Sequence, residues 1–386
     1  VQLPRLLYIG DVTVAHTSAG EALLYRLLQS YPPERLALIC GVRSGAPLLP
    51  GAAYHHWGAT FPRLLHSRIA EEYILWRAWK YYQVPAVIAA IAEQFKPDAI
   101  LTVSHVSAWL CAWQLGVARR IPLHMVVHDD YVYSSRFPGW SRPWAEKKFG
   151  EAYRAAAGRF CVSDTMAEEY QRRFGVPGSV IYPTREAGQP LADVAPRLSR
   201  AAGALTFAYG GSINDDAQLG QIMTFARVAG AAGHRLIVYT PQHAVLRERV
   251  RDVAAMDLRA PVAVDDLPKL LREEADCLFL PQSMDERHRS LVSTAFPTKW
   301  ADYSNIGLPL IVWAPPWSCS TRFIADHPGC AELITTHSEA DLSRAIAKMA
   351  ESPEYRIAAA QRLLAAGAVT FSPERAWQTF HATLTI

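Results

Sequence analysis

An α/β protein of two doubly wound, Rossmann-like domains facing a cleft is the architecture this sequence predicts. Three observations predict it. Short apolar runs that read as buried parallel strands alternate with helix-length segments from Leu6 onward, the pattern of successive βαβ units. The alternation stops at residues 184–204, TREAGQPLADVAPRLSRAAGA, which carry turn residues and no clear period, and restarts at LTFAYGGSIND, 205–215. A length of 386 residues suits two domains of ordinary size better than one. The divisions expected are an N-terminal domain over 1–184, a linker over 185–204 and a C-terminal domain over 205–370.

The first half opens with LLYIG, a buried parallel-type strand after Arg5. The loop DVTVAHTSAG follows, then a helix over 21–31, the turn Pro32-Pro33 and a strand over 36–42. Ser18, Ala19 and Gly20 are small residues of the kind that let a phosphate approach a helix start, although they form no GxGxxG fingerprint. Residues 61–95 read as helical and hold Tyr73, Trp76, Arg77, Trp79, Lys80, Tyr81 and Tyr82. Such a mixture settles at a membrane–water interface, so peripheral contact with an inner membrane surface is one reading. The other is core aromatics on one face and a solvated basic face opposite, favoured because the aromatics run nearly all round the helix. The strands DAILTVSH (98–105) and PLHMVVHDDY (122–131) end in Ser104, His105, His128, Asp129 and Asp130. Ligands of open α/β sheets lie beyond such strand ends. FCVSDTMAEEYQRRFG (160–175) is a strand and a helix capped by Ser163 or Asp164, and VIYP (180–183) ends the unit.

The second half repeats the alternation without internal sequence similarity. Strand segments are expected at 205–215, 235–241, 262–264 and 277–281, with helices near 218–229, 243–254 and 266–276. FPTKWADYSNIGLPLIVWAP (296–315) reads as a helix opened by Pro297, stopped by Gly307 and followed by a buried strand over 308–313. Lys299 in the first turn is mildly unfavourable unless an anion binds there, and Asp302, one turn on from Thr298, can accept from a diol such as ribose. Phosphate beside Thr298 and Lys299 with ribose at Asp302 outlines a nucleoside-diphosphate site. The plain alternative is a surface Lys and Asp on an amphipathic helix. The tail is helical, and Ser338 with Asp341 has the spacing of a weak capping box.

Half of the residues are apolar and 19% are charged, which gives ample core. No apolar run reaches the ~20 residues that span a bilayer, and a strand almost at the start argues against a leader. The six cysteines are scattered without metal spacing and read as reduced, buried thiols of a cytoplasmic protein. Residues 1–185 carry 20 Lys and Arg against 14 Asp and Glu, and the rest carry 19 against 22. A basic first half favours an anionic lipid or acceptor, and the imbalance is too small for a nucleic-acid partner.

Several segments, in order, resemble the GT-B glycosyltransferases of the family-four-like retaining group. They are FAYGGSI, VAVDDLPKLLREEADCLFLPQS, FPTKWADYSNIGLP, CAELITTHSEADLSRAI and FSPERAW, with FCVSDTMAEEY before the linker. The resemblance is strong from about residue 160 and looser before. It implies a sugar moved from a nucleotide-diphosphate sugar, UDP- or GDP-linked, to a glycan, lipid-linked or other hydroxyl, in polysaccharide or glycolipid assembly. It implies no tightly bound cofactor and no metal, and a closing helix over about 371–386 that packs back on the first domain. Residue by residue, Asp302 stands at the ribose-binding carboxylate and Thr298 and Lys299 at the β-phosphate. Gly20 matches the loop that closes on the diphosphate, and His128 the strand-end His that touches the transferred sugar. Gly210, Gly211 and Ser212 form the Gly-rich turn.

The chain departs from the pattern twice. Thr294 replaces the first Glu of the paired-Glu motif, and the Arg and Lys that usually follow the turn are absent, with Ser212 and Asp215-Asp216 in the region. Lys299, Arg287, Arg289 and Arg322 are the nearest cations to neutralise a leaving diphosphate. Asp129-Asp130 is a weak metal signal, since no DxD spacing occurs. Retention needs no dedicated base. Inversion does, and His16, oriented by Asp11, or Asp130 are the candidates. Trp140 and Trp144 either cap an acceptor or pack the domain edge. A sugar-nucleotide epimerase and a non-catalytic sugar-nucleotide binder are the competing functions.

Overall fold

The computed structural model describes every residue except 1, 18–19, 42, 58–63, 65–66, 135–136, 200–202 and 385–386. The chain forms two compact units. The first comprises Val1–Pro183, Thr294–Phe296 and Pro373–Ile386, the second Thr184–Ser293 and Pro297–Ser372.

In the first unit, β1 (Leu6–Gly10), β2 (Leu36–Cys40), β3 (Ala53–His56), β4 (Ala99–Val103), β5 (Leu123–Val127), β6 (Gly158–Cys161) and β7 (Ser179–Val180) form one parallel sheet. Its order is β3-β2-β1-β4-β5-β6-β7. β1, β2, β4 and β5 are buried along their whole length, as expected of strands covered on both faces. β3 is an edge strand of sequence AYHH that is only partly buried, so no apolar run announces it. Helices α1 (Gly20–Leu28), α2 (Ala70–Tyr81), α3 (Ala86–Phe95), α4 (Ala108–Arg119), α5 (Tyr131–Ser134), α6 (Arg142–Ala155) and α7 (Asp164–Phe174) connect the strands. Ser163 caps α7, its hydroxyl accepting from Met166 N at 3.0 Å.

The second unit holds β8 (Thr206–Gly210), β9 (Arg235–Tyr239), β10 (Met256–Arg259), β11 (Cys277–Pro281), β12 (Leu310–Trp313) and β13 (Glu332–Ile334), all parallel, in the order β10-β9-β8-β11-β12-β13. This is the doubly wound order of nucleotide-binding sheets. Its helices are α8 (Asp216–Ala231), α9 (His243–Val250), α10 (Leu267–Glu274), α11 (Arg289–Thr294), α12 (Lys299–Tyr303), α13 (Cys319–Asp326), α14 (Glu339–Glu351) and α15 (Pro353–Thr370), though the last residue of α11, Thr294, belongs to the first unit. The edge strand forms at Met256–Arg259, not at 262–264, because MDLR pairs with β9 from Leu236 to Tyr239. Ser338 caps α14 by accepting from Asp341 N at 3.3 Å. The final helix, α16 (Pro373–Leu384), packs in the first unit against α1, β6 and β7.

Residues 185–199 lie on the second unit instead of hanging free as a linker. Ala192 N donates to Asn305 Oδ1 (2.9 Å), Ala195 N to Gly307 O (2.9 Å), and Arg197 Nε to Asp276 Oδ1 (2.8 Å). Gly307 is required at that contact: its φ is +80°, and a Cβ there would come within 2.1 Å of Asp193 O. The six cysteines are buried and unpaired, and burial pushes the Cys40 thiol up to about 12.

The loop after β1 is fixed by a charge pair buried in the first unit. The Arg77 and Asp11 side chains are 1% and 3% exposed and are joined through Arg77 Nη2 and Asp11 Oδ1. Asp11 Oδ2 accepts from Ser107 N (2.8 Å) and Ala108 N (2.7 Å) at the start of α4. One carboxylate thereby holds α2 and α4 to β1. Removing its partner leaves a buried charge unpaired, so Arg77→Met is expected to cost about 3–5 kcal/mol in chemical denaturation, and Asp11→Asn in the same chain to return part of that loss.

Candidate functional site

The order of the second sheet reverses between β8 and β11, and the loop at 211–215 leaves β8 there. Such a switch point is where open α/β sheets take ligands. Gly211 has φ +135°, and a Cβ built on it would lie 2.5 Å from Lys299 Cε and 2.8 Å from Nζ. The Lys299 side chain therefore occupies the space a larger residue at 211 would need. Its ammonium stands 5.2 Å from the centroid of the Tyr209 ring. Burial lowers the Lys299 pKa to about 8, and the charge of Asp302 pulls the other way. Tyr303 fixes the turn from below: its hydroxyl accepts from Gly210 N at 2.8 Å and donates to Gly210 O at 3.3 Å. The Tyr209 hydroxyl donates to Ser212 O, which bends the chain after the glycines. Tyr303 and Tyr209 are the residues that sequence reasoning misses here. The signal was available in part, since Tyr303 sits one turn after Lys299 in the same motif.

Helix α12 has only five residues, and Pro297 and Thr298 precede it, Thr298 making no side-chain cap. So short a helix carries little dipole. The attraction for an anion expected from a helix end passes to the Lys299 charge. Of the other cations nearest in sequence, Arg287 pairs with Asp285, Arg289 with Glu286, and Arg322 is exposed on α13 beside Asp326 at 3.9 Å. Asp215 caps α8 through Gln218 N, and Asp216 pairs with Arg249. Among the described residues, Lys299 is the one of these four cations set against the glycine turn.

In the first unit the reversal falls between β1 and β4. Gly20 is the first residue of α1, and Ser18 and Ala19 lie outside the described residues. His16 packs its ring 5.1 Å from Tyr25 and is not oriented by Asp11, whose two oxygens serve Arg77 and α4. Asp130 does not stand as a free base either. It is 1% exposed, and its carboxylate accepts from Arg173 Nη1 at 3.0 Å, tying the start of α5 to α7. His128 and Asp129 do reach the strand end together, with His128 Nε2 3.5 Å from Asp129 Oδ2 and 12% of the His128 side chain exposed. The His105 ring lies 5.6 Å from that of His128. Surrounding protein atoms, then His128, lower the His105 pKa.

Residues 42–184 match the sequence model of Glycosyltransferase Family 4. Among solved structures, the chain is similar to Anabaena HepE in complex with UDP and glucose, 14% identical over 99% of each chain with a TM-score of 0.67. It is similar also to sucrose-phosphate synthase of Thermosynechococcus elongatus, 13% identical over 97% of each chain with a TM-score of 0.63. The α,α-trehalose-phosphate synthase (UDP-forming) of Burkholderia vietnamiensis is 13% identical over 99% of each chain, with a TM-score of 0.62. The fold is GT-B. No curated protein sequence matches the chain. Within GT-B, the matched family segment falls in the first unit, whereas the motif resemblance is strongest beyond it.

The Lys299 environment has a sign that can be checked. An amine whose pKa is 10.5 unfolded and about 8 folded binds more protons in the unfolded chain between those values. The resulting penalty is full below pH 8 and gone above 10.5. Ligand-free protein is expected to gain stability relative to Lys299→Met as pH rises through that window, measured by denaturant unfolding at a series of pH values.

Proposed function

We propose that the chain is a glycosyltransferase that takes its sugar from a nucleoside-diphosphate donor, UDP-linked before GDP-linked, and transfers it with retention to a glycan or lipid-linked hydroxyl. The observation that carries this reading is Lys299 lodged against the Gly210-Gly211 turn at the switch point of the second sheet. A diphosphate accepting from that ammonium would raise its pKa back towards the ordinary value, and Asp302 on the same helix is our candidate to accept from the ribose hydroxyls. Complexes of HepE with UDP and with UDP-glucose support a uridine donor. Lys299 is the cation we assign to the leaving diphosphate, since the amides of Gly210 and Gly211 are taken by Tyr303 and Tyr239.

The step breaks the bond between the anomeric carbon and the phosphate oxygen and forms one from that carbon to the acceptor oxygen. The acceptor proton passes to the departing phosphate, and His128 is the residue that the resemblance nominates for the transferred sugar. Retention is favoured because Asp11 and Asp130 are both held by arginines and so are poor bases or base-orienting groups. Lys299→Met is expected to weaken UDP binding by roughly 10–100-fold, the worth of a charge-assisted hydrogen bond. Wild-type affinity should fall as pH rises above 8, and Lys299→Arg should remove that dependence; calorimetric titration with UDP reads both. Unchanged binding in Lys299→Met removes the donor site, and an inverted anomer in the transfer product removes retention.

A second observation bears on where the acceptor is met. Helix α2 turns Tyr73, Arg77 and Tyr81 inward and leaves Trp76 and Trp79 46% and 70% exposed. Lys80 Nζ lies 5.0 Å from the Trp76 ring, and Lys148 of α6 lies 5.5 Å from the Tyr82 ring. On α6, Trp144 is exposed too, as is Trp140 just before it. Of the segment 61–95, residues 61–63 and 65–66 lie outside the described residues. No described helix is long and apolar enough to cross a membrane. Exposed tryptophans beside lysines suit the surface of an anionic bilayer. The chain is expected to co-sediment with phosphatidylglycerol vesicles and not with phosphatidylcholine, and Trp76→Ser with Trp79→Ser to lose that binding; no pelleting with either lipid refutes the contact.

A further inference from the structure

We propose that His105, His128 and Asp129, on the first unit, form a binding site for a divalent transition metal of the zinc class. One ring nitrogen of each histidine and one carboxylate oxygen of Asp129 lie within 4.8 Å of one another. Two ligand atoms about 2.0–2.1 Å from a tetrahedral ion are roughly 3.4 Å apart. His128 Nε2 and Asp129 Oδ2 stand at 3.5 Å, which matches that spacing and is longer than the ~2.7–2.9 Å of a charge-assisted hydrogen bond. The pair is thus spaced for an ion between them better than for contact with each other.

The two loops that carry these side chains are tightly held. Val106, between His105 and Ser107, has φ +44°, a left-handed conformation that a β-branched residue rarely adopts. The Tyr131 hydroxyl, two residues after Asp129, donates to Val106 O, and Ser107 N donates to Asp11. The His-bearing end of β4 is therefore fastened to the segment that carries Asp129. His128 Nδ1 is buried with no hydrogen-bond partner among the described residues, so the imidazole is oriented by packing and not by a bond that would compete for it.

Donor type selects the metal. Two imidazoles and one carboxylate suit Zn²⁺, Co²⁺ or Ni²⁺, whereas Mg²⁺ and Ca²⁺ require oxygen. Three protein ligands leave a position open, and an ion there takes up the imidazole of His128. Occupancy would therefore withhold that ring from any role of its own and make the metal an inhibitor, not a cofactor. The metal site itself does not depend on the glycosyltransferase reading.

The test uses the intact chain and the metal alone. Co²⁺ titrated in a non-chelating buffer is expected to saturate at one equivalent with visible ligand-field bands, and Zn²⁺ to displace it. His105→Ala and Asp129→Asn should each weaken binding at least roughly tenfold, while circular dichroism shows both variants folded. Displacement of Co²⁺ by Mg²⁺ in excess, no saturable site, or equal affinity in folded His105→Ala would each overturn the assignment.

Discussion

Lys299 occupies the room left by the missing side chain of Gly211, and the chemistry of the second unit depends on that exchange. An ammonium placed over Tyr209 and against a backbone turn loses part of its hydration, and its pKa falls to about 8 as a result. An anion bound beside it would offset that lost hydration. The site is thus poised by its own desolvation, and affinity for an anion is built in before any contact with base or sugar is considered. Any residue larger than glycine at 211 would displace the cation, and any loosening of the Tyr303 bond to Gly210 would let the turn relax away from it. The turn, the lysine and the two tyrosines form one unit, although 93 residues separate Gly210 from Tyr303.

What the sequence reveals is what is decided locally. Ser163 and Ser338 announce their caps because an N-cap needs only the next three residues. Gly307 announces a stop because the left-handed backbone is a property of the residue itself. The buried strands of both sheets are legible as apolar runs, and the alternation of strand and helix gives the fold class. Distant pairing is not legible. Nothing in the spacing joins Arg77 to Asp11, 66 residues away, or Asp130 to Arg173, and both carboxylates therefore look available until their partners are seen. The segment 185–199 reads as a linker because its composition is that of a turn, yet its backbone is satisfied by Asn305 and Gly307, far along the chain. Edge strands fail for a related reason: AYHH and MDLR are half-buried, and pairing with a neighbour, not hydrophobicity, makes them strands.

The short length of α12 changes the physical argument for Lys299. The sequence points to Lys299 as a cation in the wrong place on a helix dipole, but a five-residue helix has little dipole to oppose it. The conflict that an anion relieves is instead desolvation, which is the larger effect for an ammonium surrounded by protein. The distinction matters for Asp302. On a dipole argument its charge would stabilise the first turn and compete with a phosphate; on the desolvation argument it partly supports the lysine and leaves the remainder of the deficit to the ligand.

The first unit treats its charges in the opposite way. At its switch point the acidic group nearest β1 is neutralised internally, by Arg77 and two amides of α4, and becomes a structural clamp. Asp130 is neutralised by Arg173. What remains at the carboxyl ends of β4 and β5 is imidazole, from His105 and His128, with Asp129 at the rim. With Asp11 and Asp130 paired to arginines, these strand ends suit contact with neutral hydroxyls better than general-base catalysis. They also leave two soft nitrogen donors and a single oxygen close together. The same economy of charge that favours a reaction without an enzymic base therefore creates a set of ligands for a transition metal.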